Sequence, residues 1–146
     1  VAARREIARC ERSGRPLAFI LADIDDFKAV NDRLGHDVGD GAIRHVSAAI
    51  AAAVRSSDIV SRWGGEEFLV ALPESTLSDA RSVAERIRRD VAARPVETAT
   101  ASVRVTMTLG VAAYMPGQSL EQCLARADDA LYSGKRTGKN VVQAAA

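Results

Sequence analysis

The side chains best placed to do chemistry in this sequence are acidic. Asp23 stands just past the continuous apolar run at residues 17–22, and Glu66-Glu67 follow the pair Gly64-Gly65 between two short apolar segments. If the run is a buried strand and the two segments form a hairpin beside it, these carboxylates meet at one mouth. Carboxylates packed together repel, and taking each out of water is costly, so they call for a cation. Magnesium suits such a set, because it prefers oxygen ligands and commonly shares its shell between one or two carboxylates and a phosphate. The Ile24 carbonyl would add a neutral oxygen. Spacing alone supports a second reading equally: Asp23 caps the next helix, and the glutamates form a solvated turn tip.

The elements that must position these groups follow from periodicity. The opening VAARREIARCERSGR spaces Ile7 and its alanines against arginines at helical intervals until Gly14 and Pro16 break the pattern. Residues 17–22 predict a strand buried on both faces. A short helix is expected over 27–34, and a longer one from near Asp40, with Ile43, Val46, Ile50 and Val54 on one stripe. Residues 59–62 and 68–72 predict an antiparallel hairpin in which the glycine pair supplies positive φ angles. Ser75, Thr76 or Ser78 caps a helix carrying Ala80, Val83, Ala84, Ile87 and Val91, with Pro95 just beyond it. Residues 103–113 alternate and are rich in β-branched types, which predicts one further strand. Ser119 and Gln122 form a capping box for a last helix that buries Leu120, Leu124, Ala127 and Leu131 and stops at Gly138. Val141-Val142 would add an edge strand. The order predicts an α+β fold, a ferredoxin-like palm with a mostly antiparallel sheet and its helices concentrated on one face.

Composition narrows the class. The 146 residues, 47% hydrophobic and 27% charged, fit one domain over positions 1–146 with a real core. The formal charge of +1 offers no general field for nucleic acid, so any phosphate affinity must come from locally placed groups. Cys10 and Cys123 lie far apart without metal-ligand spacing, which argues against a disulfide framework or zinc site. No apolar run approaches the roughly 20 residues of a membrane span. The expected setting is cytoplasmic, without membrane contact by this domain, although a full-length chain could be membrane-anchored.

Several separated blocks carry a resemblance. Asp23-Ile24-Asp25-Asp26-Phe27-Lys28, Asn31-Asp32, Gly35-His36, Gly39-Asp40 and Arg62-Trp63-Gly64-Gly65-Glu66-Glu67-Phe68 match, in order and spacing, the GGDEF family of diguanylate cyclase domains, here in its GGEEF form. Arg55-Ser56-Ser57-Asp58, the 106–112 block TMTLGVA, the 127–132 block ADDALY and the 135–140 block KRTGKN agree as well. Together they cover essentially the whole chain. The family's usual L-T-G-L-x-N-R-R opening is not among them, so the sequence is expected to be the C-terminal part of a longer chain with an N-terminal sensory or regulatory partner.

The resemblance implies a cyclase that condenses two GTP into cyclic di-GMP and two pyrophosphates. Asp23, the Ile24 carbonyl and Glu66, with Glu67 adjoining, would hold two Mg2+ per site, Mn2+ being an acceptable substitute. Glu66 would position or accept the proton. Gly64 and Gly65 would admit the α-phosphate, the Phe27 and Lys28 N–H groups would face the outer phosphates, and Lys135 and Lys139 would finish that clamp. The family usually has Arg at the Lys139 position, so the forked contact is lost here. Asn31 and Asp40 would read guanine, and a homodimer would bring the two GTP together. Arg55 and Asp58, with Arg86 contributing, resemble an inhibitory site for the product. His36 is given only a structural hydrogen bond, and Gly134, where Ala is usual, a cost of roughly 1 kcal/mol in a helix. Read alone, the 135–139 lysines are a basic helix end, Asn31 and Asp40 are cap residues, and Arg55 with Asp58 is a surface pair. Rival functions are a cyclic di-GMP receptor without turnover, an enzyme joining adenine and guanine nucleotides, and a structural or dimerisation module.

Overall fold

The computed structural model describes residues 2–145. The elements are α1 (Ala2–Ser13), β1 (Leu17–Ile24), α2 (Phe27–Leu34), α3 (His36–Ala53), β2 (Ile59–Arg62) and β3 (Glu67–Pro73), then α4 (Leu77–Ala93), β4 (Val96–Glu97), β5 (Ser102–Val103), β6 (Met107–Ala113), α5 (Leu120–Thr137) and β7 (Val142–Ala144). The main sheet has the order β2-β3-β1-β6-β7. Its pairs are antiparallel except β6 with β7.

Period-two geometry explains why β1 is apolar throughout. Ala18, Ile20, Ala22 and Ile24 enter one core with Val46 and Ile50 of α3 and Ala84 and Ile87 of α4. Leu17, Phe19 and Leu21 enter a second core with Cys123, Leu124, Ala127 and Leu131 of α5, against which Ile7 of α1 packs. Helices therefore cover both faces, not one as expected. One face of β1 is taken by α3 and α4, and the stripe that α5 buries packs on the other. Gly110 lets α5 seat directly on the sheet, since a Cβ there would stand 2.1 Å from the Ala127 carbonyl oxygen and 2.6 Å from the Leu131 nitrogen. Cys10 and Cys123 are both free thiols.

Local chemistry moves several predicted boundaries. The second long helix begins at His36, one turn before Asp40, because Gly35 at φ 92° both ends α2 and starts α3. Its N–H donates to the Asn31 carbonyl at 2.9 Å. Residues 103–113 are not one strand. Thr98 closes a turn by donating from N–H and hydroxyl to the Ala101 carbonyl, which pairs β4 with β5 as a separate ribbon. Arg104 then reaches the Ala92 and Ala93 carbonyls at the end of α4, so the strand resumes only at Met107. Thr76 is the cap of α4 and forms a reciprocal box with Asp79. Ser119 and Gln122 form the box expected at α5.

Candidate active site

Register brings the acidic residues together. Asp23, next to last in β1, lies opposite Glu67 of β3 on one side and Thr108 of β6 on the other. The ladder continues one step further, where the Ile24 N–H donates to the Glu66 carbonyl at 3.3 Å. Asp23 is not a helix cap: the cap of α2 is Asp26, held at φ 55° with no side-chain cap bond. Asp23 Oδ2 instead lies 3.3 Å from Lys135 Nζ, and Asp23 Oδ1 is buried with no hydrogen-bond partner. Burial pushes the Asp23 carboxyl up to about 6, with Glu66 and Glu67 adding to the rise and Lys135 opposing it. Burial also raises Glu67, helped by Asp128 and Glu66.

The residue that organises this mouth is Asp25, to which the sequence reading gave no role. It is 4% exposed. Its carboxylate accepts from Thr106 Oγ1 and Thr108 Oγ1 at 2.7 Å each, from Lys135 Nζ at 2.6 Å and from the Asn140 N–H at 2.9 Å. Burial alone would raise its pKa; these donors outweigh it and hold the carboxyl below its usual value. The available signal was a second acid beside the strand end, paired with the threonines of the 106–108 block. Lys135 also donates to the Ile24 carbonyl at 3.4 Å. Next door, Lys139 Nζ bonds Asp26 Oδ1 at 2.6 Å, and that pairing raises its pKa.

Among the described residues, no three Asp, Glu, His or Cys side chains close into a ready metal cage. The donor set is open and all oxygen: Asp23 with an orphaned buried Oδ1, the Ile24 carbonyl, and the glutamates whose charge reaches Asp23. That set fits a small hard cation whose remaining ligands arrive with a substrate.

The hairpin corrects one expectation. Neither Gly64 nor Gly65 has a positive φ. The turn is closed by the Trp63 N–H donating to the Glu67 carbonyl at 2.7 Å and by Arg62 Nη2 reaching the Gly65 carbonyl at 2.7 Å. A Cβ on Gly65 would meet no protein atom within 4 Å, so the fold makes no steric demand for glycine there. Phe27 and Lys28 occupy the first turn of α2, to whose N–H groups the Asp26 side chain makes no cap bond. Asn31 points its Oδ1 into the protein without a partner. Gly39 of α3 makes room for it, because a Cβ there would fall 1.8 Å from that oxygen. Asp40 is exposed on the next residue of α3, inside the helix and not at its cap. His36 makes no side-chain hydrogen bond among the described residues, against expectation, because it sits exposed at the first turn of α3.

Arg55, Asp58 and Arg86 lie elsewhere. The Arg55 N–H and guanidinium both bond Asp58, at 2.7 and 3.1 Å, and the guanidinium also reaches the Pro73 carbonyl and Ser75 Oγ. Pro73 ends β3, so this cluster sits a strand's length from Glu67. The Asp58 side chain is only 1% exposed, with both oxygens spent inside its own turn. Arg86 donates to the Ala53 carbonyl at 3.4 Å.

A family model described as "Diguanylate cyclase, GGDEF domain" matches residues 2–141. The chain belongs to the GGDEF domain family. Response regulator PleD of Caulobacter vibrioides is 40% identical over 139 residues, covering 93% of this chain and 31% of that protein. Diguanylate cyclase DosC of Escherichia coli is 39% identical over 141 residues, with 96% and 31% covered. The chain thus spans about a third of the length of these curated relatives. The GGDEF domain of DgcB from Caulobacter crescentus, solved in complex with c-di-GMP, superposes with a TM-score of 0.93 at 34% identity, covering 98% of this chain and 85% of that one. The α+β fold with a mostly antiparallel sheet flanked by helices is therefore that of GGDEF domains.

Proposed function

We propose that this domain is a diguanylate cyclase, joining two GTP into cyclic di-GMP with release of two pyrophosphates. The observation that carries the reading is Asp23, a carboxylate held at a strand end with one oxygen buried and unpartnered and with the charges of Glu66 and Glu67 felt at its carboxyl. Asp23, the Ile24 carbonyl and Glu66, with Glu67 adjoining, would hold two Mg2+ or Mn2+. Bound there, the cations would lower the cost of forming an alkoxide and neutralise charge on the leaving group.

The chain's own groups do the rest. The N-terminal N–H groups of α2 at Phe27 and Lys28 receive the outer phosphates, a position favoured by the helix dipole. Lys135 and Lys139 add charge to the same clamp. Gly65 leaves open the space above the hairpin where the α-phosphate approaches. Asn31 and Asp40 select guanine, since an amide and a carboxylate complement its edge and oppose that of adenine. The 3′-hydroxyl of one GTP attacks the α-phosphorus of the other, its proton passes to Glu66, and the bond to pyrophosphate breaks. The second GTP comes on a twofold-related copy, so the active species is a homodimer and the step occurs twice. Arg55, with Arg86 contributing, is the inhibitory product site, and Asp58 serves it by fixing the Arg55 turn. In the full chain an N-terminal regulatory segment controls the domain in the cytoplasm, where GTP is supplied.

Incubation with GTP and Mg2+, followed by separation of products, tests the reading. Cyclic di-GMP and pyrophosphate are expected in a ratio of one to two, with ATP alone giving neither. Glu66→Gln should lower kcat by about 10²-fold, the range of a lost general base. Binding of cyclic di-GMP with no pyrophosphate released would make the domain a receptor instead.

A further inference from the structure

Lys135 Nζ lies 2.6 Å from Asp25 Oδ1, 3.3 Å from Asp23 Oδ2 and 3.4 Å from the Ile24 carbonyl. The Ile24 carbonyl and the Asp23 carboxylate are both assigned above to the divalent cation; the ammonium takes Oδ2 of that carboxylate and leaves its buried Oδ1 without a partner. An ammonium is a compact point charge with three donors, and here it meets oxygens of the kind a hard cation takes. We infer that Lys135 is a tethered stand-in for the metal: it occupies the cation's place in the nucleotide-free protein and yields it when substrate arrives. This rests on the metal reading above.

Asp25 makes the exchange workable. Its carboxylate is fixed by Thr106, Thr108 and the Asn140 N–H independently of Lys135, so it can keep the ammonium while Asp23 and Ile24 are released. A cation arriving alone must displace the ammonium and then remain beside it, so it binds weakly. A triphosphate offers the released ammonium new anionic oxygens, which removes that penalty. Cation and nucleotide must therefore strengthen each other's binding by the same factor, as linkage requires. The benefit is that the paired acids are never left without a counter-charge between turnovers, and idle metal is not retained.

Mn2+ binding without nucleotide, read by electron paramagnetic resonance of the free ion, tests this in the wild type, Lys135→Met and Asp23→Asn. Lys135→Met should bind Mn2+ about tenfold more tightly, the effect of removing roughly one charged competitor, while Asp23→Asn should bind it far less. A second measurement needs no variant: the acetylation rate of Lys135 relative to Lys28, read by peptide mass spectrometry, should rise when Mn2+ is added to the wild type. Equal Mn2+ affinity in the wild type and Lys135→Met, or unchanged Lys135 reactivity at saturating Mn2+, would overturn the stand-in role and leave the metal site in place. Absence of Mn2+ binding both alone and with a non-hydrolysable GTP analogue would instead remove the metal reading itself.

Discussion

Asp23→Asn should make the metal-free protein more stable at neutral pH relative to its stability in acid, despite breaking an ion pair. The Asp23 carboxyl stands at about 6 against an ordinary value of 3.8, with burial as the largest cause and Lys135 only partly opposing it. Its side chain is 20% exposed, so solvent screens little of this effect. Because the folded value is the higher one, the native state binds more protons than the unfolded chain between those two values, and stability falls as pH rises through that window. The penalty is absent well below 4 and complete above about 7. At about 1.4 kcal/mol per unit it amounts to roughly 2–3 kcal/mol. Placing an amide beside the unpartnered position of Oδ1 carries its own cost, but that cost does not change with pH. The pH dependence of the difference between the two proteins therefore isolates the charge. Urea unfolding and thermal melting of both in EDTA, from pH 4 to pH 8, measure it. At about 2–4 °C per kcal/mol for a chain of this size, the melting temperatures should shift relative to one another by about 5–10 °C across the range. A difference that stays flat with pH, or that moves in favour of the wild type as pH rises, would refute the reasoning.

Two further substitutions test the glycines that shape the site. Gly39→Ala should push the Asn31 amide from its place and lower kcat/KM for GTP about tenfold, the scale of one lost base contact, with little change in melting temperature. Asn31→Ala added to it should cost almost nothing more, and additive losses would show that the two residues act separately. Gly134→Ala gains roughly 1 kcal/mol in helix propensity, but its Cβ meets Thr108 Cγ2 at 2.7 Å and Val141 Cγ1 at 3.1 Å. Overpacking stiff β-branched neighbours costs about 1–3 kcal/mol, so a net fall in thermal stability is expected, and a rise would contradict it.

The acidic mouth was legible because it depends on strand ends. An apolar run that stops at Asp23, and a hairpin whose two arms flank Glu66-Glu67, place those residues by register alone. The Asn31 and Asp40 placements were harder to read, since each residue type also suits a helix cap; only Gly35, which starts α3 a turn early, puts Asp40 within the helix. Asp25 was missed because its four donors are distant in sequence: Thr106 just before β6, Thr108 within it, Lys135 in the last turn of α5 and Asn140 in the turn after that helix. The β4–β5 ribbon was missed because two-residue strands carry no periodicity, and the turn that makes them depends on Thr98. Helix placement on both faces was hidden for a related reason: a strand apolar on every residue does not say which helix takes which side. Gly134 illustrates the limit of propensity, which prices the residue in isolation and ignores the strands packed over it.

The bare backbone of Gly110 has a mechanical corollary. With main chain lying on main chain, α5 sits closer to β6 than any side chain at this position would allow. Lys135, in the last turn of this closely seated helix, reaches the acidic mouth through its four-carbon arm. In the homodimer proposed above, such a mounting would leave the approach of the two copies, and not the seating of α5, as the step to be switched.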